Sequence, residues 1–155
     1  MSIESLQQIS EAIGADPMNK DLYLQRGIIW FDLKCNDESI SDLMLYESLG
    51  GSNSEYIKYL GMALSRTASK RSTEYLKKYV ELNPEDRDII VYLAETYFQN
   101  GDYDLSATFY NKAISLGYDP SILNVKAQSL AESGDRKNAA LFNSEFGKKK
   151  GFFKR

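Results

Sequence analysis

Histidine is absent from this chain, and cysteine and tryptophan each occur once. Without imidazole there is no Ser-His-Asp or Cys-His nucleophilic pair, no imidazole metal ligand and no side chain that ordinarily titrates near neutrality. Catalysis would have to run on carboxylate, lysine or tyrosine, and no constellation of those stands out. The chain is therefore not read as an enzyme, and no metal or cofactor is called for. The lone Cys35 excludes an internal disulfide framework and fits a reducing compartment, so the expected location is the cytoplasm. No apolar run approaches the ~18 residues that a membrane span needs. The opening MSIESLQQISEAIGADP has neither the basic start nor the apolar core of a secretory signal, and there is no Asn-x-Ser/Thr acceptor.

Excess charge of one sign is also missing at first sight, with 22 acidic against 19 basic side chains. The balance conceals a split. The last eight residues, KKKGFFKR, hold five of the cations and no acid, so residues 1–147 carry 14 basic against 22 acidic groups, a net of −8. An acidic body argues against nucleic acid as a partner, because phosphate binding needs a basic face. The apolar content of 43% is ordinary for a globular chain, so a core is expected.

What is present is a repeat. YLAETYFQNGDYDLSATFYNKAI (92–114) is answered 33 residues later by VKAQSLAESGDRKNAALFNSEFG (125–147). Ala94, Tyr97, Gly101, Asp102 and Ser106 recur as Ala127, Leu130, Gly134, Asp135 and Ala139. A period of this length marks one helix pair stacked on a copy of itself, since a single pair cannot bury its own apolar face. Ile90, Leu93, Ala94 and Tyr97 share one stripe of a first helix, Gly101 ends it, and Ser106, Phe109, Tyr110, Ala113 and Ile114 carry a second. Upstream, Gly61, Leu64, Tyr75, Leu76 and Tyr79 make a pair over 53–86 whose turn has Ala68 in place of glycine. Tyr23, Gly27, Trp30, Leu43 and Tyr46 make another over 20–52 with an irregular turn near Lys34 to Asp37. In the last copy Asn143 stands where an aromatic is expected.

The small residue Ala94, Tyr97, the turn Gly101 to Tyr103, Tyr110, Ala113 and the Asn83-Pro84 punctuation together resemble the tetratricopeptide repeat. The resemblance implies an all-α, right-handed solenoid of stacked antiparallel helix pairs with about nine helices. It implies a single domain: a capping helix at 1–16, pairs at 20–52, 53–86, 87–119 and 120–147, and a basic tail at 148–155. Its function would be that of a scaffold that binds protein, an adaptor or small chaperone whose concave face, lined by first helices, takes an apolar peptide or helix of a partner. The residues projected onto that groove are Leu24, Ile28, Phe31, Lys58, Tyr59, Met62, Arg66, Tyr92, Glu95, Phe98, Gln99 and Gln128, with Gln25, Val91, Asn124 and Val125 beside them. Chaperone-tail binders of the family clamp a carboxylate with lysine, asparagine and arginine. Here only Lys58 and Arg66 are cationic on that surface, so no such clamp is expected. An aromatic stripe at helical spacing equally describes a core, and Phe31, Tyr59 and Phe98 carry both readings.

The tail residues Lys148, Lys149, Lys150, Phe152, Phe153, Lys154 and Arg155 also carry two readings. In one they would make a basic-aromatic contact to a membrane surface, and the chain would be an accessory subunit of a membrane-associated complex. The plainer reading is a solvated end whose lysines complement the preceding helix dipole. Asp102 and Asp104 lack the glycine and distal glutamate of a calcium loop, and Asp102 is expected to cap a helix instead. Arg66, Lys70 and Arg71 form a minor candidate for an anion patch.

Overall fold

The computed structural model describes residues 3–152, with the backbone alone for residues 3, 146, 147 and 149–152. Nine helices and no strand occur among the described residues. They are α1 (Ile3–Ala15), α2 (Lys20–Asp32), α3 (Asn36–Ser48), α4 (Ser54–Arg66), α5 (Ser72–Leu82), α6 (Arg87–Gln99), α7 (Tyr103–Ser115), α8 (Ser121–Glu132) and α9 (Arg136–Phe152). The class is the all-α solenoid of helix pairs expected from the repeat. The chain divides into two compact units, residues 1–82 and 83–155.

Within the first unit, α2 packs on α3 and α4 on α5, with α3 against α4 and α1 against α2. Close crossing is set by small residues. A Cβ added to Gly27 would come within 2.9 Å of Leu43 Cγ, and one added to Gly61 within 2.9 Å of Leu76 Cγ. Leu43, Leu60, Ala63 and Leu76 are fully buried beneath these contacts, and Tyr46, Tyr79 and Val80 nearly so. In the second unit, Ala94, Ala107, Tyr110, Leu123, Ala127, Leu130, Ala139 and Phe142 form one buried cluster. The last pair departs from the expected pattern: Asn143 is exposed, and the buried aromatic is its neighbour Phe142, packed edge-on against Phe98 with ring centroids 5.7 Å apart.

The turn inside each pair follows one backbone recipe. Gly101 and Gly134 have φ of 82° and 90°, and the non-glycine residues at the same places, Lys34 and Ala68, have φ of 63° and 56°. At each, the next amide turns back to close the helix: Cys35 N bonds Trp30 O, Ser69 N bonds Leu64 O, Asp102 N bonds Tyr97 O and Asp135 N bonds Leu130 O, all at 2.8–2.9 Å. This is the closing bond of a left-handed C-terminal cap. The irregular turn at Lys34 and the missing glycine at 68 are therefore substitutions within a conserved geometry of this chain's own repeats. Holding alanine in the left-handed region costs on the order of 1 kcal/mol. Ala68→Gly is thus expected to stabilise the first unit by about 1 kcal/mol, read as a rise in the denaturation midpoint. A fall in that midpoint would mean the turn is not held left-handed in solution.

Polar groups reinforce the pairs. Ser39 Oγ donates to Gly27 O and Ser106 Oγ to Ala94 O, both at 2.8 Å. The corresponding Ser72 Oγ, which follows Gly61 by 11 residues where Ser39 follows Gly27 by 12, is buried without a hydrogen-bond partner among the described residues. Asp86 caps α6 by accepting from Ile89 N, and Asn53 caps α4 by accepting from Glu55 N. Asp102 stands at the N-cap of α7, but its side chain makes no cap bond, so the expected capping role falls to its backbone position alone.

Candidate partner-binding faces on the first helices

In the first unit the candidate residues come from α2 and α4. Leu24 and Phe31, expected on an open groove, are buried at 8% and 6% exposure. The reason for Phe31 is its neighbours. Tyr59 meets its ring edge-on with centroids 5.2 Å apart, and the Arg66 guanidinium lies 3.7 Å above it. Arg66 also donates to Phe31 O at 3.1 Å, which ties α4 to the carbonyl end of α2. Lys58 Nζ sits 5.0 Å from the Tyr59 ring centroid and 5.9 Å from that of Tyr79. Ile28, Lys58, Tyr59 and Met62 are half-buried. Burial pushes the Tyr59 phenol up from its ordinary range, with the carboxylates of Asp32 and Glu55 adding to it.

In the second unit Tyr92, Glu95 and Phe98 are half-buried on α6, while Gln99 and, on α8, Gln128 are exposed. Glu95 is the hub. Its Oε2 accepts from Tyr110 Oη and from Lys126 Nζ, each at 2.5 Å. Lys126 Nζ lies 4.4 Å from the Phe98 ring centroid. Burial by itself would raise the Glu95 pKa, but the hydrogen bonds from Lys126 and Tyr110 and the charge of Lys126 outweigh it and hold the carboxyl below its ordinary value. The Tyr110 phenol is raised by burial and by its bond to that carboxylate.

Lys126 was not anticipated. By the 33-residue period it aligns with the buried Leu93, and a charge at an apolar repeat position was the available signal. Its side chain is only 14% exposed. Because the folded protein favours ionised Glu95, the stabilisation is full above the unfolded value near 4.5 and is lost as pH falls through the lower folded value. Lys126→Met is therefore expected to flatten the loss of stability of the second unit on acidification below about pH 4.5. Denaturation midpoints of both forms against pH check this, and parallel curves would dismiss the coupling.

Residues 91–116, spanning most of α6 and all of α7, match the tetratricopeptide repeat model. The chain has the tetratricopeptide-repeat fold. A crystal structure of MamA is 21% identical over 94% of this chain and 86% of that one, with a TM-score of 0.70. YrrB, described as a TPR protein with an unusual peptide-binding site, is 18% identical over 91% of this chain and 74% of its own, with a TM-score of 0.73. No curated protein matches the sequence.

The other candidates on this chain separate. Arg66 reaches to Phe31, whereas Arg71 Nη2 donates to Tyr75 Oη at 3.3 Å, so the minor anion patch does not converge. Lys148 pairs with Glu145 at 2.7 Å. The side chains of Lys149, Lys150 and Phe152, and all of Phe153, Lys154 and Arg155, lie outside the described residues. Among the described residues, no helix is long and apolar enough to cross a membrane, and no group of three His, Cys, Asp or Glu is placed to hold a metal.

Proposed function

We propose that this chain is a cytoplasmic protein–protein interaction module, an adaptor or small chaperone, which holds an apolar peptide or helix of a partner against the faces of its first helices. The observation that carries this reading is the state of the charges there. Lys58 and Arg66 already rest on aromatic rings, and Lys126 already neutralises Glu95. A partner on the first unit's face would cover Lys58 and Arg66 where they rest on rings, beside Ile28, Tyr59 and Met62, and one on the second unit's face would cover Lys126 and Glu95 as a pair, beside Tyr92 and Phe98. The same pairing withholds cations from a carboxylate clamp, in keeping with an apolar ligand. The likeness in fold to YrrB, whose peptide-binding site is named in its description, supports the choice of ligand class.

Affinity purification from the native source with mass spectrometry identifies the partner, which is then titrated against variants. Tyr59→Ala and Tyr92→Ala are each expected to weaken binding by about tenfold, with helicity by circular dichroism unchanged. Undiminished affinity in both would move the binding surface elsewhere. Loss of helicity in either would make that ring part of the core.

A further inference from the structure

Between α1 and α2 lies an open apolar cleft of about 440 Å³, lined by Ser5, Gln8 and Ile9 on one side and Gln25, Ile28 and Ile29 on the other. On α1, Glu4, Gln8 and Glu11 follow at spacings of four and three residues; on α2, Asp21, Gln25, Ile28 and Asp32 follow at four, three and four. Each set therefore occupies one helical face. The four carboxylates are exposed, and none belongs to an ion pair found among the described residues. They belong to the most acidic stretch of the chain, since residues 1–55 hold ten acidic and three basic side chains, a net of −7. An aliphatic floor with carboxylates towards both ends of both walls calls for a ligand with an apolar centre and cations on either side. The chain contains such a segment. Lys148–Arg155 reads KKKGFFKR, with three lysines before two phenylalanines and Lys-Arg after them.

We propose that a second copy of this chain docks its Lys148–Arg155 segment in the α1/α2 cleft. Phe152 and Phe153 cover Ile9, Ile28 and Ile29, and the flanking cations face Glu4, Glu11, Asp21 and Asp32. The contact joins two different surfaces, so it either closes into a ring of copies or propagates head to tail. It does not rest on partner binding at Tyr59 and Tyr92.

Sedimentation equilibrium of the full chain tests it. At low ionic strength the average mass is expected to climb above that of the monomer with concentration. At about 1 M salt, where the screening length falls to about 3 Å, it should return towards the monomer's 17.6 kDa. A chain carrying Glu4→Lys, Glu11→Lys, Asp21→Lys and Asp32→Lys, and a chain carrying Phe152→Ser and Phe153→Ser, should each be monomeric alone. Mixed in equal amounts they should form a 1:1 dimer and grow no further, since one intact cleft and one intact segment remain between them. A peptide of sequence KKKGFFKR should bind saturably to the Phe152→Ser/Phe153→Ser chain and not to the charge-reversed chain, and in excess it should return the unaltered full chain towards the monomer, which keeps the test decisive if a variant folds poorly. A full chain that is monomeric at every concentration overturns the proposal, as does association that survives either variant, or a peptide that does not bind. Capture of anionic vesicles by a full chain that stays monomeric, lost in the phenylalanine variant, would assign the segment to a membrane surface and overturn it equally.

Discussion

Replacing Arg26 with leucine is expected to destabilise the unit formed by residues 1–82 by about 3 kcal/mol. Arg26 on α2 and Asp42 on α3 form a two-pronged pair, Nε to Oδ2 at 2.7 Å and Nη2 to Oδ1 at 2.8 Å. Arg26 Nη1 also reaches Ser10 Oγ on α1 at 3.2 Å, so one guanidinium joins three helices. The Asp42 side chain is 7% exposed and that of Arg26 22%. The hydrogen bond to Asp42 raises the guanidinium pKa, and with the charge of that carboxylate it more than offsets the burial that opposes the charge of Arg26. Removing the arginine leaves a carboxylate in a site with little water, which costs far more than losing a surface pair. The partial exposure of Arg26 sets the lower end of the range for buried pairs. Adding Asp42→Leu to Arg26→Leu is expected to recover most of the loss, because two apolar side chains of similar reach need no solvation. Denaturant unfolding of the two single variants and the double measures this as a coupling energy. A cost below about 0.5 kcal/mol for Arg26→Leu would place the pair with ordinary surface salt bridges.

The second large effect concerns the contact between α4 and α5. Leu76→Ala is expected to cost about 3 kcal/mol, since Leu76 is fully buried and its removal leaves a cavity. Gly61→Ala alone should cost about 1 kcal/mol. The new methyl would meet Leu76 Cγ at 2.9 Å and Cδ2 at 3.0 Å, which outweighs the roughly 1 kcal/mol of helix propensity gained. In the Leu76→Ala background those two atoms are gone, and of the three nearest neighbours the backbone nitrogen of residue 76, at 3.1 Å, remains. Gly61→Ala should then stabilise by about 1 kcal/mol, reversing sign. Unfolding free energies that add within about 0.5 kcal/mol would show that the methyl and the leucine do not compete for the same space.

Much of the helix pattern is legible because the repeat writes each element several times. Gly101 and Gly134 announce their turns, and Asn53 and Asp86 stand where helices begin. At Lys34 and Ala68 the same turn is hidden, because the left-handed backbone there is imposed by the helices it joins and not by glycine. Phe142 was hidden for a related reason: a shift of one residue along α9 moves the buried ring, and periodicity alone places it at Asn143. The candidate faces were less legible. Periodicity tells that Leu24, Phe31 and Tyr59 share a flank of their helices, yet only the Arg66 guanidinium over Phe31 and the edge of Tyr59 make Phe31 a covered ring.

The amino-acid sequence by itself determined the helix pairs, their 33- to 34-residue period and the small-residue crossings at Gly27, Gly61, Ala94 and Ala127, since these follow from local propensity and spacing. Its acidic body and basic-aromatic KKKGFFKR segment are likewise matters of composition. Only the tertiary structure decided which charges meet. Arg26 lies 16 residues from Asp42, Glu95 lies 31 from Lys126, and Arg66 lies 35 from Phe31, separations over which no periodic rule specifies a side-chain contact. Each of these pairs depends on how two helices cross and on the rotamers the crossing permits, so it exists only once the pairs have packed.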